Sequence, residues 1–137
     1  MNFKFVSSLL RIVALAMIAL PLLSCSPDSP LGILFDPPKC EVTGLEAKDK
    51  TPGNFARMEI TVANTGDGAT AYNVRFFIKL KKGNTIIDSD GTSFGTLKAG
   101  EAALGEVWFS RIETHSEYDN AESKLYWYDA EGGYYEK

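Results

Sequence analysis

Residues Ala71 to Lys82, AYNVRFFIKLKK, decide the fold, because apolar and polar side chains alternate along them. The apolar residues occupy the even positions Tyr72, Val74, Phe76, Ile78 and Leu80. The odd positions from 73 to 81 are polar, with Phe77 as the one exception. A period of two is typical of a half-buried strand in an antiparallel sheet. The pattern predicts one long strand whose even positions face a core.

Similar segments lie on both sides of this strand. Residues 56–64 alternate cleanly, with Met58, Ile60 and Val62 on one side. We predict further strands over residues 41–48, 85–88, 92–97, 102–112, 124–129 and 133–136. We also predict turns at 83–84 and 88–91, a bulge at Gly105 and a polar loop over 112–123. About seven short strands without a helical period predict an immunoglobulin- or fibronectin-like antiparallel β-sandwich over residues 40–137.

Length and composition are those of one ordinary globular domain. The chain has 137 residues, of which 45% are apolar and 23% charged. Its 18 acidic and 14 basic residues give a formal net charge of -4. Nucleic-acid phosphates require a basic face, so this acidic excess argues against a nucleic-acid partner.

The N-terminal segment has the pattern of an export signal. Residues 1–11 carry only positive charge, and residues 12–23 are uncharged and mostly apolar. Twelve helical residues span about 18 Å, which is short of a hydrocarbon core of about 30 Å. The sequence Leu22-Leu23-Ser24-Cys25 resembles the lipobox of bacterial lipoproteins. That resemblance implies a signal peptide over residues 1–24 and a mature N-terminal Cys25 that carries acyl chains such as palmitate and anchors the chain in a membrane.

The same segment leaves two other interpretations open, an uncleaved signal anchor and an ordinary secretory cut. All three place the rest of the chain outside the cytoplasm. Ser26 resembles the outer-membrane sorting preference of some Gram-negative bacteria, which favours the outer membrane of a bacterial cell envelope. Residues 25–39 include four prolines and are predicted to form an extended tether.

The second cysteine, Cys40, opens the predicted domain. With Cys25 lipidated, Cys40 has no partner in the chain. A buried free thiol and an intermolecular disulfide are then the alternatives, and without lipidation a bridge between the two cysteines becomes possible.

Three short stretches are similar in order and spacing to the FxLYD and CARDB-like domains of bacterial secreted proteins. They are Ile60-Thr-Val-Ala-Asn-Thr-Gly66, Ala71-Tyr-Asn-Val74 and Leu97-Lys-Ala-Gly-Glu101. They correspond to a V-x-N-x-G strand end, an A-x-x-V strand start and an L-x-x-G-E turn. The resemblance implies an accessory or binding role outside the cytoplasm, with no catalytic residues to carry over.

The sequence predicts no catalytic residues, no metal site and no cofactor. His115, the one histidine, lies in the predicted loop, where a solvated side chain is the usual outcome. Asp88 and Asp90 could offer oxygen ligands to calcium, as could three later acids, Glu117, Asp119 and Glu122. The spacing of an EF-hand is incomplete, so we interpret these acids as solvated turn residues and expect a protein that is not an enzyme.

Aromatic residues concentrate late in the chain and supply the candidate binding residues. Because successive strand side chains alternate, either Tyr126 and Tyr128 or their neighbours must face outward. Trp108 and Phe77 each lie on the otherwise polar side of their strand. The sequence therefore predicts a binding or assembly module for a cell-envelope protein or glycan. A carbohydrate-binding module that uses the late aromatics is the alternative.

Overall fold

Seven β-strands form two antiparallel sheets in the computed structural model, which describes residues 36–137. The strands are β1 (Cys40–Lys48), β2 (Ala56–Asn64), β3 (Ala71–Lys82), β4 (Thr85–Leu97), β5 (Ala102–Phe109), β6 (Asn120–Tyr128) and β7 (Tyr134–Glu136). The described residues contain no helix, so none that could span a bilayer. The predicted signal peptide, Cys25 and most of the tether lie outside the described residues.

The two sheets pack face to face as a β-sandwich, which confirms the predicted fold class. The first sheet has the order β1-β2-β5 and the second has the order β4-β3-β6-β7. In constant-type immunoglobulin domains the fourth strand belongs to the sheet of the first two strands. Here β4 pairs with β3 instead, so the second sheet is the wider one.

Alternating residues of both sheets fill the core. The largest fully buried side chains include Ile60 of β2, Ile78 and Leu80 of β3, and Phe109 of β5. Their positions match the predicted periodicity of two, and the bounds of β2 and β3 agree with the prediction to the residue. The inward alternation of these strands therefore produces the sandwich.

Three local predictions are wrong. Residues 88–91 do not form a turn, because β4 runs unbroken from Thr85 to Leu97. The strand β6 begins at Asn120, inside the predicted loop. Gly105 keeps regular register with Ile60, so it is not a bulge. A Cβ atom at position 105 would lie 2.8 Å from Cε1 of Phe94, so any larger residue there would displace the Phe94 ring that packs on β5.

The sandwich has two lateral seams, where the edge of one sheet meets the edge of the other, and these two seams differ. At the seam between β4 and β5, the buried carboxylate of Asp88 accepts a hydrogen bond from the N–H of Arg111 at 2.8 Å. Asp90 accepts one from the N–H of Trp108 at 3.2 Å. At the opposite seam the β1 side chains Val42 and Leu45 remain exposed, and Val42 lines a cavity of about 290 Å³. Polar bridges close one seam, and the other stays open.

Asn64 joins several segments at one end of the sandwich. Its Oδ1 accepts hydrogen bonds from the N–H groups of Lys39 and Gly66, both at 3.2 Å. Its Nδ2 donates to the carbonyls of Ala69 at 2.8 Å and Leu97 at 3.1 Å. Its backbone N–H and C=O pair with Glu101 and Gly100. The stretches that end at Gly66 and begin at Leu97, which carry the family resemblance, therefore meet at this side chain.

The entry of the chain into the sandwich is fixed by the second sheet. The indole N–H of Trp127 donates to the carbonyl of the buried Pro38 at 2.8 Å. Tyr135 stacks on the same indole with ring centroids 6.0 Å apart. Two residues after Pro38, Cys40 is a free thiol with no exposed surface. Burial raises the pKa of this thiol to about 11, so Cys40 is chemically unreactive in the folded domain.

Candidate functional site

Three of the four predicted binding residues lie on one surface, the outer face of the four-stranded sheet. The even positions of β3 from 74 to 80 are buried, as are Leu125 and Trp127 of β6, so Phe77, Tyr126 and Tyr128 point away from the core. Phe77 is 37% exposed. Across the β3–β6 pair, Phe77 lies opposite Lys124, and Arg75 lies opposite Tyr126. We call this surface the outer face.

Tyr72 also belongs to the outer face, although the sequence predicts it to point inward. The register of β3 shifts between Ala71 and Val74, and Asn73 in that interval has φ of 52°. Ala71 is consequently buried, and Tyr72 points outward and lies opposite Tyr128. A left-handed backbone conformation is uncommon outside glycine, and asparagine adopts it more readily than most residues. Asn73 is therefore the feature of the sequence that could have indicated the outward position of Tyr72.

Tyr134 of β7 completes the aromatic group. It is 49% exposed and lies opposite Tyr128 across the β6–β7 pair. Its ring centroid is 5.5 Å from that of Tyr128 and 6.1 Å from that of Tyr126. Lys124 places its ammonium 5.8 Å from the centroid of Tyr134 and forms an ion pair with Glu136 at 2.5 Å. This ion pair raises the pKa of Lys124 and lowers that of Glu136.

The outer face is basic, although the whole chain has a net charge of -4. Its strand positions carry the cations Arg75, Lys79, Lys81 and Lys124 and the carboxylates Glu122 and Glu136. Lys81 is paired with Glu122. Arg75 instead donates from Nε to Oδ1 of Asn73 at 2.9 Å, and within residues 36–137 neither Arg75 nor Lys79 forms an ion pair. Two cations on either side of Phe77 are thus available to a ligand.

A shallow depression of about 260 Å³ lies at the β4 side of the outer face. Its lining is Arg75, Phe76, Phe77, Gly91, Thr92, Ser93 and Tyr126. A Cβ atom at Gly91 would lie 2.7 Å from the carbonyl oxygen of Phe76 and 3.0 Å from Cδ2 of Phe77. The ring of Phe77 therefore covers a glycine of the edge strand, an arrangement that stabilises sheets. It also gives the depression an aromatic wall.

Trp108 lies apart from the other three predicted residues. It is 38% exposed on the outer surface of the three-stranded sheet, opposite Arg57. The guanidinium of Arg57 is 5.2 Å from the indole centroid and forms ion pairs with Glu59 at 3.3 Å and Glu106 at 3.4 Å. The indole therefore shields a charge cluster, and the structure does not bring Trp108 to the outer face.

His115 lies in a loop, as predicted, but it is half-buried and not a freely solvated side chain. Its Nδ1 is 3.2 Å from the hydroxyl of Tyr118. Its Nε2 is 3.2 Å from the carbonyl oxygen of Lys48 and 3.1 Å from that of Arg57. The ring also packs edge to face against Phe109. These contacts attach the loop before β6 to β1 and β2.

The acids considered for calcium are used as hydrogen-bond acceptors. Asp88 and Asp90 bind main-chain N–H groups at the β4–β5 seam, so their interpretation as solvated turn residues is wrong. Glu117 accepts from the N–H groups of Glu113 and Thr114, which lowers its pKa. Within residues 36–137 no group of three or more His, Cys, Asp or Glu side chains is arranged to hold a metal ion.

The chain matches no protein-family model. The comparison with curated proteins also found no match. The resemblance to FxLYD and CARDB-like domains therefore stays a prediction from the three sequence stretches.

Proposed function

We propose that the chain is a membrane-anchored extracytoplasmic lipoprotein whose β-sandwich is a non-catalytic binding or assembly module. The observation that supports binding is the outer face, where exposed aromatic rings stand beside Arg75 and Lys79, two cations that form no ion pair within residues 36–137. Exposed aromatic groups with a polar surround are a common mark of interaction sites. The partner is a protein or glycan of the cell envelope.

The anchor is proposed from the sequence around Cys25, and Ser26 favours the outer membrane. Intact mass and membrane partition of the extracted protein test this part, with Cys25→Ala compared to wild type. We expect the variant to lose the mass of the acyl chains and to leave the membrane fraction. An unchanged mass and an unchanged partition would remove the anchor from the proposal.

Photo-crosslinking tests the binding face. A photoreactive p-benzoylphenylalanine at Ser93 lies on the outer face beside the depression. The matched control carries the same group at Leu104, which is exposed on the three-stranded sheet. We expect a light-dependent adduct from position 93 in cells that express the chain, and none from position 104. Equal adduct yields at both positions would contradict the proposed face.

A carbohydrate-binding module is the second candidate function. It is favoured by the depression of about 260 Å³, which joins two aromatic rings to hydroxyl and guanidinium donors. Aromatic rings stack on the apolar side of a sugar ring, while hydroxyls and guanidinium groups bind its oxygens.

A further inference from the structure

We propose that the depression beside Phe77 binds one carboxylated sugar unit of an acidic oligosaccharide. This inference rests on the proposed function and adds the chemical class of the ligand. The depression is smaller than the 300 Å³ at which sites for drug-sized ligands begin, so it suits a single ring.

Charge selects an anionic ligand. The guanidinium of Arg75 forms one side of the depression, and Lys79 follows four residues later on the same face of β3. Neither cation forms an ion pair in the described part of the chain, although Glu122, which is paired with Lys81, lies opposite Lys79. A guanidinium binds a carboxylate through two parallel N–H donors, which makes it the matching group for a uronate.

Aromatic and hydroxyl groups select a sugar. Phe77 and Tyr126 supply ring surface, and Ser93, which lies opposite Arg75, supplies a hydroxyl on the side of β4. The register places Ser93, Arg75, Tyr126 and Glu136 in one row across the sheet. Four strands at about 4.8 Å spacing give a row of roughly 14 Å, long enough for adjoining sugar units to contact Tyr126.

An acidic peptide fits this surface less well. Extended peptides bind sheets at their edges, where free main-chain groups give them affinity. The depression lies on the face of the sheet, and the main chain of β3 beneath it is already paired with β4 and β6. A peptide would find no free main-chain partners on β3, whereas a sugar needs none.

The test uses the full lipidated chain in detergent micelles and isothermal titration calorimetry. The ligand is trigalacturonate, and its methyl ester is the uncharged control of the same shape. We expect wild type to bind the acid, with affinity that falls as salt is added, and not the ester. Arg75→Gln should weaken binding by about ten- to a hundredfold, since it removes a hydrogen-bonded charge.

Matched variants separate the site from general effects. Arg111→Gln removes an exposed arginine outside the depression and should leave the affinity unchanged. Phe77→Leu keeps an apolar side chain over Gly91 but removes the ring, so it should weaken binding without unfolding the sheet. Equal binding of acid and ester, or equal effects of the two arginine variants, would overturn the inference.

Three further outcomes would overturn the inference. If a poly-aspartate of equal charge binds as tightly as trigalacturonate, the surface recognises acidic polymers and the sugar assignment is wrong. If trigalacturonate does not bind while the adduct at position 93 persists, the inference fails and the proposed binding face stands. If trigalacturonate does not bind and the adduct at position 93 is also absent, the proposed binding face fails as well.

Discussion

Replacing Asn64 with alanine removes four side-chain hydrogen bonds at one end of the sandwich. Asn64 has no exposed surface, and its partners are two N–H groups and two carbonyls. The bond to Leu97 is buried, and an orphaned buried acceptor costs about 1–3 kcal/mol. The other three bonds are partly buried, and each contributes about 0.5–1.5 kcal/mol. We therefore expect Asn64→Ala to lower the free energy of unfolding by about 2.5–7.5 kcal/mol.

That loss is a large part of the 5–15 kcal/mol by which a domain of this size is usually stable. Urea unfolding followed by tryptophan fluorescence measures it, because the buried Trp127 lies beside the Asn64 network through Pro38. The control is Asn120→Ala, which changes an exposed asparagine and should alter stability by no more than about 0.5 kcal/mol.

The Asn64→Asp variant separates the loss of stability caused by missing hydrogen bonds from the loss caused by a cavity. Aspartate has nearly the same volume but places a second acceptor against the carbonyls of Ala69 and Leu97, where the amide donates. We expect a loss comparable to that of the alanine variant near neutral pH. A loss below about 1 kcal/mol for Asn64→Ala, or equal values for Asn64→Ala and Asn120→Ala, would refute the role of this side chain.

Three further predictions concern other positions. At pH 8, Cys40 should react with a thiol reagent at least about a hundredfold more slowly in the folded domain than in urea, because burial raises its pKa to about 11; equal rates would contradict its burial. Gly91→Ala should lower the free energy of unfolding by about 1–3 kcal/mol, because its Cβ would lie 2.7 Å from the carbonyl of Phe76; an unchanged urea midpoint would show that the sheet yields there. The pKa of Glu117 is lowered by the N–H groups of Thr114 and Glu113, so its stabilising effect is present above the usual value of 4.5 and lost as the pH falls below it. Glu117→Gln should therefore lose less stability than wild type between about pH 6 and about pH 3 in urea titrations, and parallel curves would exclude this contribution.

The sequence predicts strands well where alternation is uninterrupted. The bounds of β2 and β3 are confirmed because their inward positions, apart from Asn64 at the end of β2, are apolar and pack in one core. The prediction fails at Tyr72, because Asn73 adopts a left-handed conformation that shifts the side-chain parity. It fails at Asp88 because the N–H group that satisfies this buried carboxylate comes from Arg111, 23 residues away. Such partners have no local signature.

The outer face could be predicted in part. Alternation shows that Phe77 differs from its polar neighbours and that a pair of aromatic side chains in β6 must face outward. It does not show which strands are adjacent. Strand pairing brings Phe77 together with Tyr126 and Tyr128, and it leaves Trp108 on the other sheet. Tyr134 joins the group because the last hairpin places it opposite Tyr128.

The attachment of residues 38–39 to both sheets has a mechanical consequence for a domain held at its N-terminal side. A pulling force applied at Asp36 acts first on Pro38, which is bonded to Trp127 of the second sheet. It then acts on Lys39, whose N–H and carbonyl are bonded to Asn64 and Thr65 beside the first sheet. The load is thus divided between the two layers before β1 can peel away from β2.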